Sequence, residues 1–345
     1  MNLKSVLVAR RRASRLRKMS AENETLRGRL ADGTLRVGLV SSSEYLGKVT
    51  DDLLLEKAFL TRGVNARRVA WQDMSVSDFD CLLVTSMWGY QNDLGRFYVW
   101  LSEVEKAGVR IFNPAPIIRA NCDKVKQLEI LDRAGVPHIE TTVVRQWDRT
   151  AEIMVKEKFA FPFVIKPAIS ASGEGAVLVH NNRELALSKI HLMETSRDKA
   201  LLVQPYVSEI SEGELGVVVI DGKIVNAVRR FPGVFEGEFH VVAEPIDALD
   251  DAVREICARV LAAYNGALYA RIDLVKTADG YKVMEAELFE PQLYYYLLEG
   301  EEQESMLDTM VEGVKKRVGA SGASRAGAVG ASAETDVFSD GAEGE

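Results

Sequence analysis

The stretch YARIDLVKTADGYKVMEAELFEPQLYYY, from Tyr269 to Tyr296, restricts the possible folds of this chain more than any other segment. Tyr269, Arg271 and Asp273 alternate with Ala270, Ile272 and Leu274. Ala278-Asp279-Gly280 offers a turn, after which Tyr281, Val283 and Glu285 alternate with Lys282, Met284 and Ala286. Period-two alternation about an Asp-Gly turn predicts a β-hairpin. The hairpin brings Asp273 near Glu285 and Glu287, and the two glutamates share a face because they are two residues apart. Three neighbouring carboxylates repel one another and stay ionised together only beside a cation. Oxygen donors with no His or Cys nearby suit Mg²⁺, which is commonly shared with substrate phosphates. The alternative is a solvated acidic face; the apolar residues between the acids, and motifs upstream, argue against it.

The segment from Leu35 to Pro114 has a different rhythm. LRVGLVSSS, Val64 to Ala70, FDCLLVTSM and VRIFNP read as strands. Asp51 to Leu60 and Phe97 to Ala107 read as helices between them. Alternating strands and helices imply a parallel α/β lobe, whose ligands bind at the carboxyl ends of the strands. Trp88 and Tyr90 follow the third strand there, as substrate-lining candidates or as packing caps. FPFVIKPAI, AVLVH and LLVQPYV read as further strands. LGVVVIDGKIVNAVRRFP is a hairpin turning at Asp221-Gly222, and Asp250 to Tyr264 is an amphipathic helix.

Both ends differ from this middle. Residues 1–34 form a basic arm, with Lys4, Arg10, Arg11, Arg12, Arg15, Arg17 and Lys18 and no acid before Glu22. It reads as a solvated helix, with residues 1–30 dispensable for catalysis. Residues 319–345 are Gly/Ala/Ser-rich and acidic, and read as a disordered tail. The net charge of −8 argues against nucleic acid as main partner. No apolar run is long enough for a transmembrane segment. Three scattered cysteines, Cys81, Cys122 and Cys257, fit a reduced, cytoplasmic setting.

Lys166 ends an apolar strand just before Pro167, and Ser172-Gly173-Glu174-Gly175 follow. Small residues let successive backbone N–H groups approach a phosphate, and a lysine alongside adds charge. The strand LLVQP stops at Pro205, where free backbone groups could read an adenine edge, and Glu209 could accept from ribose hydroxyls. Arg229, Arg230 and Arg271 could stabilise negative charge developing in phosphoryl or acyl transfer, or could pair with Glu236 or Glu238.

The order Lys124, IKP at 165–167, the small-residue loop, QPYV, RID and MEAE resembles the ATP-grasp superfamily across about residues 35–300. WGY, PAISASGEGAV, QPYVSEI, RIDLV and ELFEPQLYY are most similar to the group containing the D-cycloserine-forming ligase. The resemblance implies a Rossmann-like lobe at 35–120, then an ATP-grasp domain at 121–318, with a small α+β lobe at about 135–205 and a large one at 206–318 clamping ATP. It implies an ADP-forming, C–N bond-forming ligase that joins a small-molecule carboxylate to an amine through an acyl phosphate, with Mg²⁺. It casts Lys124, Lys166, Ser172, Gly173 and Gly175 as phosphate contacts. Gln204, Tyr206 and Val207 become the adenine hinge, with Glu209 at the ribose. Asp273, Glu285 and Glu287 become metal ligands, and Arg230 and Arg271 catalytic cations. The sequence departs from that group at Gly89, where an Asp is expected, and at His240, where an Arg is expected. Those departures leave a competing reading, a nucleotide-binding regulatory or scaffold protein on the same fold. A homo-oligomer is compatible with either.

Overall fold

The first helix, α1 (Leu3–Arg27), is not the solvated arm its charges predict. Its second half is docked on α2 (Thr50–Thr61) around Glu56, which is buried. Asn23 Nδ2 donates to Glu56 Oε2 at 2.7 Å, and Arg27 Nη2 lies 2.6 Å from Glu56 Oε1. Arg68 closes the cluster from the next strand at 2.7 Å. A buried carboxylate needs such partners, so the helix is held by specific bonds as well as by Leu16.

The structure, a computed structural model, describes residues 3–170, 174–195, 200–232 and 239–330. After α1 come β1 (Arg36–Ser41), α2, β2 (Asn65–Ala70), β3 (Cys81–Val84), α3 (Leu94–Ala107) and β4 (Arg110–Phe112). The strands form a parallel sheet in the order β2-β1-β3-β4. Continuous apolar runs such as CLLV are buried throughout, as a sheet covered on both faces requires.

Helices α4 (Ala115–Asn121) and α5 (Lys124–Arg133) lead into a second sheet made of β5 (Thr142–Val144), β6 (Phe163–Pro167), β7 (Val177–Val179) and β8 (Leu201–Pro205), antiparallel in the order β5-β8-β6-β7. Between these strands lie α6 (Arg149–Lys158) and α7 (Asn182–Thr195), in segments where the sequence analysis named no helix. Asp148 caps α6 by accepting from Ala151 N.

The third sheet holds β9 (Glu214–Ile220), β10 (Lys223–Pro232), β11 (Phe239–Ala243), β12 (Tyr269–Thr277) and β13 (Gly280–Glu287), antiparallel in the order β11-β10-β9-β12-β13, with α8 (Asp251–Ala263) on one face. Asp221 and Gly222 both have positive φ, 47° and 78°, the geometry of a tight two-residue hairpin turn. The β12–β13 hairpin forms as the alternation predicts, with Asp273 opposite Glu285 and Arg271 opposite Glu287. β13 is an edge strand, and side-chain amides bond to its outer edge. Gln127 pairs with both backbone groups of Ala286, at 2.9 Å each, and Asn121 bridges Ala286 O and Leu288 N. Those amides lock α4 and α5 against the acid-bearing strand. The last helix, α9 (Gly300–Gly330), continues past the boundary expected at 318; residues 331–345 of the expected tail lie outside the described residues.

Candidate active site

Register places one row of chemistry on a single face of the third sheet. Asp273 lies opposite Glu285 on one side and Gly216 on the other, and Glu214 lies opposite Arg230. Side chains two apart share a face, so Glu214, Arg230, Arg271, Asp273, Glu285 and Glu287 all point the same way. Gly216 leaves room here: a Cβ would crowd Asp273 Oδ1 and Val228 Cγ2, each at 3.1 Å.

From helix α5 and the second sheet comes the positive half. Lys124 Nζ lies 3.1 Å from Glu285 Oε1 and donates to Ser170 O at 2.6 Å. Burial opposes its charge, but Glu285, with Glu287 and Glu290, outweighs burial and holds the ammonium pKa up. Lys166 ends β6 beside it. Burial and the neighbouring Lys124 lower its pKa against the pull of Glu285. Among the described residues its ammonium forms no ion pair, so an incoming anion would relieve its unfavourable position. Ser172 and Gly173 lie outside the described residues. Gly175 has φ +75°, and a Cβ there would sit 2.9 Å from Pro167 Cγ, so the loop must be glycine where it folds over the IKP strand.

Arg271 and Arg230 converge on Asp273. Arg271 Nε and Nη2 meet its two oxygens at 2.8 and 3.0 Å, and Arg230 Nη2 reaches Oδ2 at 2.6 Å. Burial opposes ionisation of Asp273, but the two guanidinium groups hold its pKa below the usual range. Arg230 also pairs with Glu214 at 2.6 Å, and Arg271 with Glu287. Arg229 bonds Glu244. Glu236 and Glu238, named as alternative partners, lie outside the described residues. Arg230 Nε is buried and has no hydrogen-bond partner among the described residues.

The expected metal triad is therefore not assembled in this state. Among the described residues no group of three acidic, His or Cys side chains is ready to hold a metal. Asp273 has turned into the arginines, because two guanidinium groups satisfy both of its oxygens. Glu285, Glu287 and Glu290 remain. Burial, together with Asp273 and Glu285, pushes Glu287 up to about 7. Burial and then Glu287 push Glu290 well above the usual carboxyl value. Glu287 and Glu290, hard oxygen donors that burial and their neighbours keep from ionising, stand beside Glu285, whose pKa Lys124 holds down; such a set fits a divalent cation, which would replace the protons.

The strand end expected to hold adenine crosses from the second sheet to the third. Gln204 is buried and its amide donates to Thr141 Oγ1 at 2.8 Å, so that side chain is committed within the protein. Tyr206 is exposed, Val207 opens a 3₁₀ turn over Ser208–Glu212, and Glu209 accepts from Ser208 Oγ. These residues therefore line the crossing mainly through backbone.

Residues 121–294 match the RimK-like ATP-grasp domain, and residues 37–113 match the N-terminal domain of D-cycloserine synthetase DcsG. The chain belongs to the RimK-like ATP-grasp family. The crystal structure of D-cycloserine synthetase DcsG is 24% identical, with a TM-score of 0.71 over 82% of this chain and 99% of that one. A D-alanine–D-alanine ligase from Bacillus anthracis, complexed with ATP, shares the fold at 15% identity, with a TM-score of 0.62 over 84% of this chain and all 100% of that one. A coenzyme gamma-F420-2:alpha-L-glutamate ligase from Methanocaldococcus jannaschii is 24% identical over 196 residues, 54% of this chain and 66% of that protein. A probable alpha-L-glutamate ligase from Legionella pneumophila is 26% identical over 187 residues, 54% and 61%. The chain spans about two thirds or less of the length of these two curated relatives.

Within this ATP-grasp frame, one substrate candidate is corrected. Tyr90 is buried and packs at a tilt on Phe97 and edge-on to Phe289, at 5.2 and 4.9 Å between rings, so it is a packing residue. Trp88 is half-buried, donates to Glu290 O and packs edge-on to Tyr45. Gly89 has φ +92°, a region that side-chain-bearing residues seldom occupy, which accounts for glycine where an Asp was expected. His240 is exposed and lies opposite Phe231, on the sheet face away from Arg230, so it does not replace the expected arginine.

Three residues were missed by sequence reasoning. Glu214 and Glu290 join the acid cluster, and Glu290 could have been found as the third acid after 285 and 287. Asp51 is buried and accepts from Tyr294 N at 2.9 Å and Tyr296 N at 3.1 Å. Tyr294 thereby keeps a left-handed φ of 61°, with its ring 5.7 Å from the Arg271 guanidinium. An acid in the first turn of a helix reads as a cap, so its sequence carried no sign of this role.

Proposed function

We propose that the protein is an ATP-dependent ligase that joins a small carboxylate to an amine and releases ADP and phosphate. The observation that carries this reading is Lys166, half-buried and without an ion-pair partner among the described residues, beside Lys124 and facing the Glu285 carboxylate. A lysine from helix α5, a lysine from the second sheet and a bank of acids from the third sheet suit a phosphate chain neutralised from both sides.

In this reading Lys124 and Lys166 bind phosphate oxygens, and the loop ending at Gly175 covers them through backbone N–H groups. Glu285 and Glu287 would hold Mg²⁺, which supplies charge neutralisation at the phosphates. Asp273 serves the arginines and fixes their orientation. Arg271 and Arg230 then present donors to oxygens that gain charge as the carboxylate oxygen bonds the γ-phosphorus and the bond to ADP breaks. The amine nitrogen next bonds the acyl carbon, phosphate leaves, and the amine gives up a proton. Trp88 borders the small-molecule side. The buried, unbridged Cys81, Cys122 and Cys257 suit a cytoplasmic location, and among the described residues no helix is long and apolar enough to cross a membrane.

The test is ADP release from Mg·ATP across pooled carboxylates and amines, with hydroxylamine present to trap an acyl phosphate as hydroxamate. Substrate-dependent ADP and hydroxamate support the reading. AMP and pyrophosphate would replace the acyl phosphate with an adenylate. Nucleotide binding without turnover on any pool would favour a regulatory protein on the same fold.

A further inference from the structure

Helix α1 carries six cations between residues 10 and 18: Arg10, Arg11, Arg12, Arg15, Arg17 and Lys18. All are exposed, and among the described residues none pairs with a carboxylate. Other arginines of the same lobe behave differently: Arg27, Arg36, Arg62 and Arg68 each hold an acid. The chain as a whole carries −8, so this is a local concentration of positive charge on a negative molecule.

The helix has a fixed direction. Asn23 bonds Leu53 O and Glu56, and Arg27 bonds Glu56 and Ala66 O. Contacts thus move together toward the start of both helices, so α1 and α2 run the same way. Residue 23 is level with the first turn of α2, and residues 10–18 project past its beginning at Thr50. At that end of α2, Asp51 holds the Tyr294–Tyr296 backbone against Arg271. Arg12 comes close enough to Tyr296 to favour its phenolate, although burial and Asp51 dominate. Tyr296 is 41% exposed and its ring lies 6.1 Å from that of Tyr294. The cationic overhang therefore rims the active-site mouth. The match to the DcsG N-terminal domain begins at residue 37, after this helix.

We propose that α1 is a docking surface for an acidic polypeptide segment, held beside the active-site mouth where the acceptor substrate enters. This rests on the ligase reading for its purpose but not for the binding itself. Leu16, the only large apolar side chain between residues 10 and 18, is buried, so the cationic stretch itself offers no apolar face for a bilayer. The surface from residue 10 to 18 is about 12 Å long, and an extended peptide of about four residues covers it. Its charge interactions are exposed and must weaken with salt.

The experiment uses the full chain and a fluorescein-labelled octaglutamate peptide, with anisotropy read at low and at physiological salt. The variant R10Q/R11Q/R12Q/R15Q changes only exposed residues and leaves the Asn23–Glu56 anchor intact; its melting temperature checks the fold. Saturable binding by wild type, weakening with salt and at least tenfold weaker in the variant, is expected. No binding by wild type, or equal binding by both, overturns the proposal. So does stronger binding of wild type to vesicles containing phosphatidylserine than to the peptide, which would assign α1 to membrane surfaces. Thermal stabilisation by Mg·ATP, measured on the same two proteins, reports separately on the nucleotide site. It is expected in both, and its loss from wild type would remove the ligase reading without altering the peptide result.

Discussion

Lys124 Nζ and Glu285 Oε1 lie 3.1 Å apart, and this pair ties helix α5 to the strand that carries the acids. Burial would drive each partner toward its neutral form. The pairing reverses both, holding the Lys124 pKa up and the Glu285 pKa down. The two charges are therefore already in place before any nucleotide arrives, which is what preorganisation of a phosphate site requires.

Replacing Glu285 by Gln separates two effects. Repulsion among acids alone would predict a more stable apo protein. The lysine pair changes the sign: Glu285→Gln leaves a buried ammonium short of its carboxylate, at a cost of about 1–3 kcal/mol. Glu287 is already pushed up to about 7, so Glu287→Gln should keep apo stability near wild type at pH 7. Both should lose Mg·ATP-dependent turnover. Urea melts of the two variants side by side, with ADP release, check the contrast.

The pH dependence follows from groups with raised values. Burial pushes Asp51 up to about 7, Asp52 to about 6, Glu214 to about 7 and Glu287 to about 7. Each binds its proton more tightly folded than unfolded. Its contribution is full below the unfolded value near 4 and is lost as pH climbs through about 6 to 7. Asp273 and Glu285 have the opposite sign: their contribution is full above the unfolded value near 4 and is lost as pH falls through their lowered folded values. The apo melting temperature should peak near about pH 5 and fall toward pH 8, while the stabilisation by Mg·ATP grows over the same interval as Glu287 ionises. Scanning fluorimetry from pH 4.5 to about 8.5, with and without Mg·ATP, gives both curves; an apo stability that climbs steadily to pH 8 would contradict them.

Truncation should divide α1 in two. Removing residues 1–15 leaves Leu16 and the Glu56 cluster whole and should not move the melting temperature. Removing residues 1–30 strips Asn23 and Arg27 from a buried carboxylate and leaves only Arg68, at a cost of about 2–3 kcal/mol. Circular dichroism melts of the two proteins decide this. Equal stability would return the whole arm to the dispensable role its sequence suggests.

The parts legible in the sequence were those with a short-range period. Alternation and an Asp-Gly turn located β12 and β13 and put Asp273 beside Glu285. The apolar runs located the parallel sheet, and Asp221-Gly222 located the β9–β10 turn. What stayed hidden was set by partners far away in the chain. Asn23 and Arg27 look like solvated helix positions until Glu56 is buried against them. Asp51 looks like a helix cap until the backbone of Tyr294, 243 residues on, arrives at its carboxylate. Asp273 looked like a metal ligand, and the register did place it there. Which of its neighbours it would bind, two arginines or a cation, depends on side-chain charge balance that spacing does not encode.

The central claim is that Lys166 and its neighbours form an ATP site. Isothermal titration of Mg·ATP into the apo protein, repeated with Lys166→Met, tests it most directly. Methionine keeps most of the side chain's length while removing the ammonium with its charge and donors, and the lysine has no ion pair among the described residues to lose. One saturable site per chain in wild type, with affinity at least tenfold weaker in Lys166→Met, is the predicted result. No heat of binding in wild type, or the same affinity in both proteins, would contradict the account.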